Sequence, residues 1–177
     1  MNSQFKKPDF LCREAGVTVG DEVIFGSWKR KGIRWIILEI KDGIATVLSR
    51  EILCNKAYHS LGGNTTWETC SLRKWLNEDF YFDSFDENDR ARIVDVQLKD
   101  HILYENVTDH VYLLSNDEIQ RLIPDPRVRE KGTWWWLRSS GCQPNRASYI
   151  HDFGNIISVG YYVDNYIGVR PVLQIVL

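Results

Sequence analysis

The chain has 177 residues, 44% of them apolar and 12% aromatic, which suits one globular domain with a single core. A formal net charge of −2 and a pI near 6.1 exclude the concentrated basic face that nucleic-acid binding needs. No apolar run approaches the roughly 18 residues of a membrane-spanning helix, so no membrane insertion is expected.

Residues 1–16 are polar and mixed and read as a flexible lead-in to a single domain over 17–177. Lys6 and Lys7 have no apolar stretch behind them, so no signal peptide is read and synthesis in the cytoplasm is expected. The stretches 23–28, 33–40 and 44–49 are β-rich. Asp42-Gly43 separates the last two, a strong hairpin signal, so an antiparallel meander is expected. Leu72, Trp75, Leu76 and Phe80 share one helical face, predicting a helix near 70–80 that Thr66 or Thr69 caps. The acidic Asp86-Glu87 suits the start of a second helix over 87–94. Residues 109–114 read as a strand. Ser115 or Asn116 then caps a short helix through Leu122, ended by Pro124 and Pro126, and a loop over 123–132 follows. Four more strands are expected at 134–138, 148–152, 155–159 and 169–176, separated by Gly141, Gly154, Gly160 and Gly168.

That last part carries the functional reading. Ala147, Ile150, Gly154, Ile156, Gly160, Val163 and Gly168 read as a small-residue and aliphatic frame. Between them stand unlike polar and aromatic residues: Gln143, Asn145, Arg146, Ser148, Tyr149, His151, Asp152, Phe153, Asn155, Tyr161, Tyr162, Asp164, Asn165 and Tyr166. Tyrosine offers rigid amphipathic area, and Ser and Asn offer adaptable hydrogen bonds, the mixture that paratopes use. These residues are therefore the expected ligand-binding face, led by Tyr161, Tyr162 and Arg146 because Tyr and Arg dominate hot spots. Trp134, Trp135 and Trp136 alternate along a strand, so Trp135 faces away from its neighbours and most of the trio is core. Arg138 and Arg170 sit in apolar surroundings, where a buried charge must be paired, so both are assigned structural roles with carboxylates or turn carbonyls. Pro171 belongs with them.

Cys12, Cys54, Cys70 and Cys142 show neither C-x-x-C spacing nor a histidine at metal-ligand spacing, and read as reduced thiols. No metal and no cofactor is expected, and no catalytic triad is visible around His59, His101, His110 or His151.

The string W-W-L-R-S at 135–139, the frame that follows it, and G-V-R-P-V-L at 168–173 resemble the C-terminal part of an uncharacterised domain family of gut bacteria and their phages. The helix Trp67-Glu68-Thr69-Cys70-Ser71-Leu72-Arg73-Lys74-Trp75-Leu76-Asn77 and the opening Val19-Gly20-Asp21 resemble it too, so the likeness covers about 17–177. That family in turn resembles C-type-lectin-fold proteins of the formylglycine-generating-enzyme type and variable proteins of diversity-generating retroelements. The resemblance implies an α+β, C-type-lectin-like fold with an antiparallel sheet, a few short helices and long C-terminal loops. It implies a non-enzymatic phage or prophage protein that recognises a macromolecule, a protein above all, carried in a phage particle or displayed through a partner. The competing readings are a formylglycine-enzyme-like catalytic or small-molecule-binding domain and a structural domain of a phage or surface assembly. Cys142 stands alone, where oxidase chemistry of that type uses cysteines together. Gln143-Pro144-Asn145 is similar to the triplets of calcium-dependent lectins, but only Asp152 and Asp164 lie nearby to supply carboxylates. The oligomeric state is left open.

Retroelement diversification rewrites template adenines. Codons of the AAC or AAT type then reach many residues but never Lys, Glu, Trp or Met. Those four types make up 27 of the 177 residues, so a window the size of 142–166 should hold about four at average usage. It holds none. Gln143 is likewise unreachable and must be a fixed position under this reading.

Overall fold

The structure is a computed structural model that describes residues 16–99 and 106–177. All of the expected lead-in but Gly16 lies outside the described residues. Strand β1 (Glu22–Trp28), β2 (Lys31–Lys41) and β3 (Ile44–Ser49) form the antiparallel meander. Asp42 and Gly43 both have positive φ, 51° and 76°, as a two-residue turn of matching twist requires. Alternate side chains on these strands (Val23, Phe25, Trp35, Ile37, Val47) enter the core. Strand β4 (Cys54–Ala57) has no strong sequence signal and is an addition to the expected elements.

The helical run comes next. α1 (Ser71–Trp75) passes through a π-turn (Leu76–Phe80) into α2 (Tyr81–Ser84), which places Leu72, Leu76 and Phe80 inside. Its cap is Cys70, whose Sγ accepts from the Arg73 N–H at 3.4 Å, rather than either threonine. α3 (Glu87–Arg90) is shorter than expected. Ile93 bridges Ile175, and the Val94 N–H bonds the Gln174 carbonyl at 2.9 Å, so a sheet edge captures the chain that would have continued the helix. β5 (Val96–Lys99) and β6 (Asn106–Asp109) pair antiparallel. The expected strand at 109–114 is reduced to a bridge between Tyr112 and Val172.

α4 (Asn116–Leu122) opens with a full capping box, Ser115 and Glu118 each bonding the other's backbone N–H. α5 (Pro126–Arg129) occupies the stretch expected to be loop, with Pro126 in the first turn, where its missing N–H costs nothing. The C-terminal part supplies β7 (Trp135–Ser140), β8 (Arg146–Ile150), β9 (Ile156–Tyr162), β10 (Tyr166–Val169) and β11 (Val172–Val176).

Two main sheets result, one ordered β1-β2-β3-β11 and the other β4-β10-β7-β8-β9. The expected closing strand 169–176 is thus two strands in two sheets. Pro171, which cannot donate to a ladder, marks the crossing. Arg170 fixes it: the guanidinium donates to the Ser49 carbonyl at 3.1 and 2.9 Å and lies over the Trp135 ring at 4.7 Å. Both bonds go to the carbonyl that ends β3, and burial works against the charge of the guanidinium.

The expected C-type-lectin-like architecture is overturned. Strand accounts for 41% of the described residues and helix for 19%, so they are mostly β, and one pairing, β10 with β7, is parallel. The long C-terminal loops are absent too. Only residues 141–145, 151–155, 163–165 and 170–171 connect the last five strands. No described helix is long and apolar enough to cross a membrane.

Candidate binding face

Trp134, just before β7, faces His151, just after β8, and aromatic rings extend from this pair in both directions. His151 lies 5.2 Å from Trp134 and 5.7 Å from Phe153, centroid to centroid. On the other side Trp134 meets Tyr149 at 4.8 Å and the edge of Tyr161 at 5.2 Å. Tyr161 stands 6.4 Å from Tyr162, whose ring lies under the Arg146 guanidinium at 4.5 Å. Arg146 Nη2 also bonds the Tyr162 hydroxyl at 3.1 Å. A continuous row, Phe153–His151–Trp134–Tyr161–Tyr162–Arg146, therefore crosses β7, β8 and β9.

Within this row Phe153 and Tyr162 are 66% and 45% exposed, and Tyr166 at the start of β10 is 69% exposed. Gln143, Asn155 and Asp164 are also exposed, while Asn145, Arg146, His151, Asp152, Tyr161 and Asn165 are half-buried. The half-buried residues are held locally. His151 Nδ1 pairs with the Asp152 carboxylate. Asn165 Nδ2 bonds the Tyr162 carbonyl at 3.3 Å. The Asn145 carbonyl accepts from the Val163 N–H at 3.1 Å.

Two of the residues assigned to the face are interior. Ser148 is fully buried; its hydroxyl donates to the Ser140 carbonyl at 3.1 Å and accepts from Asn116 Nδ2 at 3.2 Å. Tyr149 is 7% exposed, and burial pushes its phenol up, with Tyr161 and Asp152 adding to the effect. The cause is position: β8 runs between β7 and β9, and polar spacing in sequence does not report whether a strand is central.

The frame residues are inside. Trp135, Arg138, Ala147, Ile150, Gly154, Gly160, Val163, Gly168, Arg170 and Pro171 are all buried, and Ile156 is half-buried. At Gly154 a β-carbon would stand 1.9 Å from the Pro126 carbonyl oxygen, so α5 abuts the turn that presents Phe153. Arg138 forms a forked pair with Glu118 and donates to the Leu113 carbonyl at 2.9 Å. Trp134 is the member of the tryptophan run that floors the face. The sequence signal for it was the alternation that put Trp135 on the opposite side. Val159, 56% exposed on β9, carried no signal among the frame aliphatics.

Among the described residues no three His, Cys, Asp or Glu side chains converge in a way that would hold a metal ion. Cys54, Cys70 and Cys142 are free thiols. The surface offers π-faces, a guanidinium, phenol hydroxyls and short amides and carboxylates. These are groups for adhesion by stacking and hydrogen bonding.

The fold and this face describe a mostly-β protein of two main sheets with an aromatic surface row. The chain matches the model of a family described as a domain of unknown function (DUF6273) over residues 43–132. It belongs to that family. No curated protein and no solved structure matches the chain. The matched stretch runs from the β2–β3 turn to just past α5, so the aromatic row from Trp134 onward lies beyond it.

Proposed function

We propose that the chain is a non-enzymatic recognition protein whose β7–β10 surface binds a macromolecule, most readily another protein, and that the stretch 142–166 is the diversified segment of a retroelement variable protein from a phage or prophage. The observation that carries this reading is the separation of roles along one short stretch. The frame residues other than the half-buried Ile156 are interior, and twelve of the fourteen intervening side chains assigned to the face reach solvent wholly or in part. Tyr, Trp and Arg at the centre of such a surface are the residues on which binding energy concentrates. Ser148 and Tyr149 belong with the frame. Diversification of a surface is tolerable only if its side chains do not hold the fold, and surface changes away from special features cost about 0.5 kcal/mol or less.

The test has two arms. Unrelated substitutions at Asn155, Tyr162, Asp164 and Tyr166, each made singly, are expected to leave the melting temperature within about 2 °C of the parent. Unfolding by most of them would end the proposal. Independently, the gene is expected to lie near a reverse transcriptase and a near-copy of the coding stretch for 142–166 that differs mainly at adenines. A locus with neither would remove diversification and leave only a fixed binding face.

A further inference from the structure

A second feature lies away from the aromatic row. A cavity of about 250 Å3 opens between the sheet β1-β2-β3-β11 and the elements laid over it, β5, α4 and the segment through Tyr112 and Leu114. Its floor is a polar row across three strands. The register places Glu39 beside Thr46 and Thr46 beside Gln174, and Gln174 Nε2 bonds Thr46 Oγ1 at 3.3 Å. The buried Tyr112 ring and the Glu118–Arg138 pair close the inner end. Val96, Leu98, Leu114 and Leu122 supply the aliphatic part of the lining.

The charges divide into two kinds. Glu118 and Arg138 are committed to each other and to backbone groups, and Arg138 is buried. Glu39 and Arg121 form a salt bridge with each other at 2.5 Å, and both side chains are more than a third exposed. An exposed pair of this kind adds little net stability, so its members separate cheaply to meet a ligand. When they part, the site presents one carboxylate and one guanidinium side by side, in a cavity whose lining is partly aliphatic. The volume is below the roughly 300–1,000 Å3 of pockets for drug-sized molecules, so the occupant is small.

We propose that this cavity is a binding site for a small aliphatic zwitterion, an α-amino acid with a branched hydrocarbon side chain. Its ammonium would meet Glu39, its carboxylate Arg121, and its side chain the aliphatic lining formed by Val96, Leu98, Leu114 and Leu122. Paired opposite charges select a ligand that carries both charges over one that carries either, because a singly charged ligand leaves one partner unmatched.

Isothermal titration of the full chain with leucine, 4-methylpentanoate and 3-methylbutylamine tests this, since the three share one branched chain and differ in their charged groups. Leucine is expected to bind at least about tenfold more tightly than either analogue. Glu39→Gln should abolish the preference for leucine over 4-methylpentanoate, and Arg121→Gln the preference over 3-methylbutylamine. Glu39 is half-buried and Arg121 exposed, and unchanged melting curves will show that the variants are folded. Absence of leucine binding, equal binding of the three compounds, or a preference untouched by both substitutions would overturn the proposal. None of these outcomes bears on the aromatic row, which shares no residue with the cavity.

Discussion

Gly160 packs so closely on Gly141 that a β-carbon added to Gly160 would stand 2.8 Å from the Gly141 Cα. The same β-carbon would be 2.9 Å from the Ala147 carbonyl oxygen, and the Gly160 φ is +78°. The β7–β8 connection therefore lies against β9, and the Cys142 N–H bonds the Val159 carbonyl at 3.1 Å. Gly160→Ala is expected to cost about 1–2 kcal/mol from the left-handed backbone alone, with the steric conflict adding to it. For a chain of this size that lowers the melting temperature by at least about 2 °C in thermal denaturation. The exposed neighbour Val159→Ser should move it little. An unshifted Gly160→Ala melt would show that the frame does not hold the face.

Tyr149 and Tyr162 look alike in sequence and differ in the fold. Tyr149→Ala removes a buried ring between Trp134 and Tyr161, a change that typically costs about 3–5 kcal/mol. Tyr162→Ala loses mainly its stack with Arg146, worth about 1 kcal/mol or less at an exposed site. Urea denaturation should place the midpoint of the first variant well below the second. Equal losses would put Tyr162 in the core and remove it from the candidate face.

How far the sequence revealed this arrangement can be argued from particular residues. The meander was legible because Asp42-Gly43 dictates its own turn, and α4 because Ser115 and Glu118 form a self-contained cap. Such signals are local. Where the outcome depended on partners distant in the chain, sequence reasoning failed. The stretch 87–94 has helical character, but Ile93 and Val94 are claimed by β11, some eighty residues away. Residues 169–176 read as one strand because nothing local says that Val169 and Val172 belong to different sheets. The frame was visible because Gly and aliphatic residues report close packing directly. Tyr149 and Ser148 were misplaced because burial of a polar or aromatic residue is decided by which strands flank it. The cavity was invisible, since Glu39, Thr46 and Gln174 meet only through strand register.

Glu118 holds two parts of the fold at once. Its carboxylate accepts from the Ser115 N–H at 2.8 Å and forks onto Arg138, which is buried on β7. Glu118→Ala removes the Glu118 half of the capping box and strands a buried guanidinium, for which about 3–5 kcal/mol is the usual cost. The double variant Glu118→Leu with Arg138→Met removes both charges. It should be less destabilised than Glu118→Ala alone, because no unpaired charge stays inside. Chemical denaturation of the two variants decides this. A double variant as unstable as the sum of two single losses would mean that the pair contributes more than it costs to bury.

Cys70 gives the fold an alkaline limit. Burial pushes its thiol up from 9.0 to about 12, opposed only in part by backbone hydrogen bonds to the thiolate. Below the unfolded value of 9.0 both states hold the proton, and the contribution is fully present. As pH rises from there toward 12, the unfolded chain releases a proton that the folded chain retains. Stability then falls by about 1.4 kcal/mol per pH unit. Tyr112, also pushed up by burial, adds a loss of the same sign at higher pH. Cys70→Ser keeps a helix-capping oxygen and removes the thiol titration. The difference between wild-type and Cys70→Ser stability, measured by urea denaturation at several pH values, should be flat below pH about 9 and change by about 1.4 kcal/mol per unit above it. Native labelling should modify the exposed Cys142 and spare Cys70 over the same range. Parallel stability curves, or early labelling of Cys70, would mean that the thiol capping α1 is open to water.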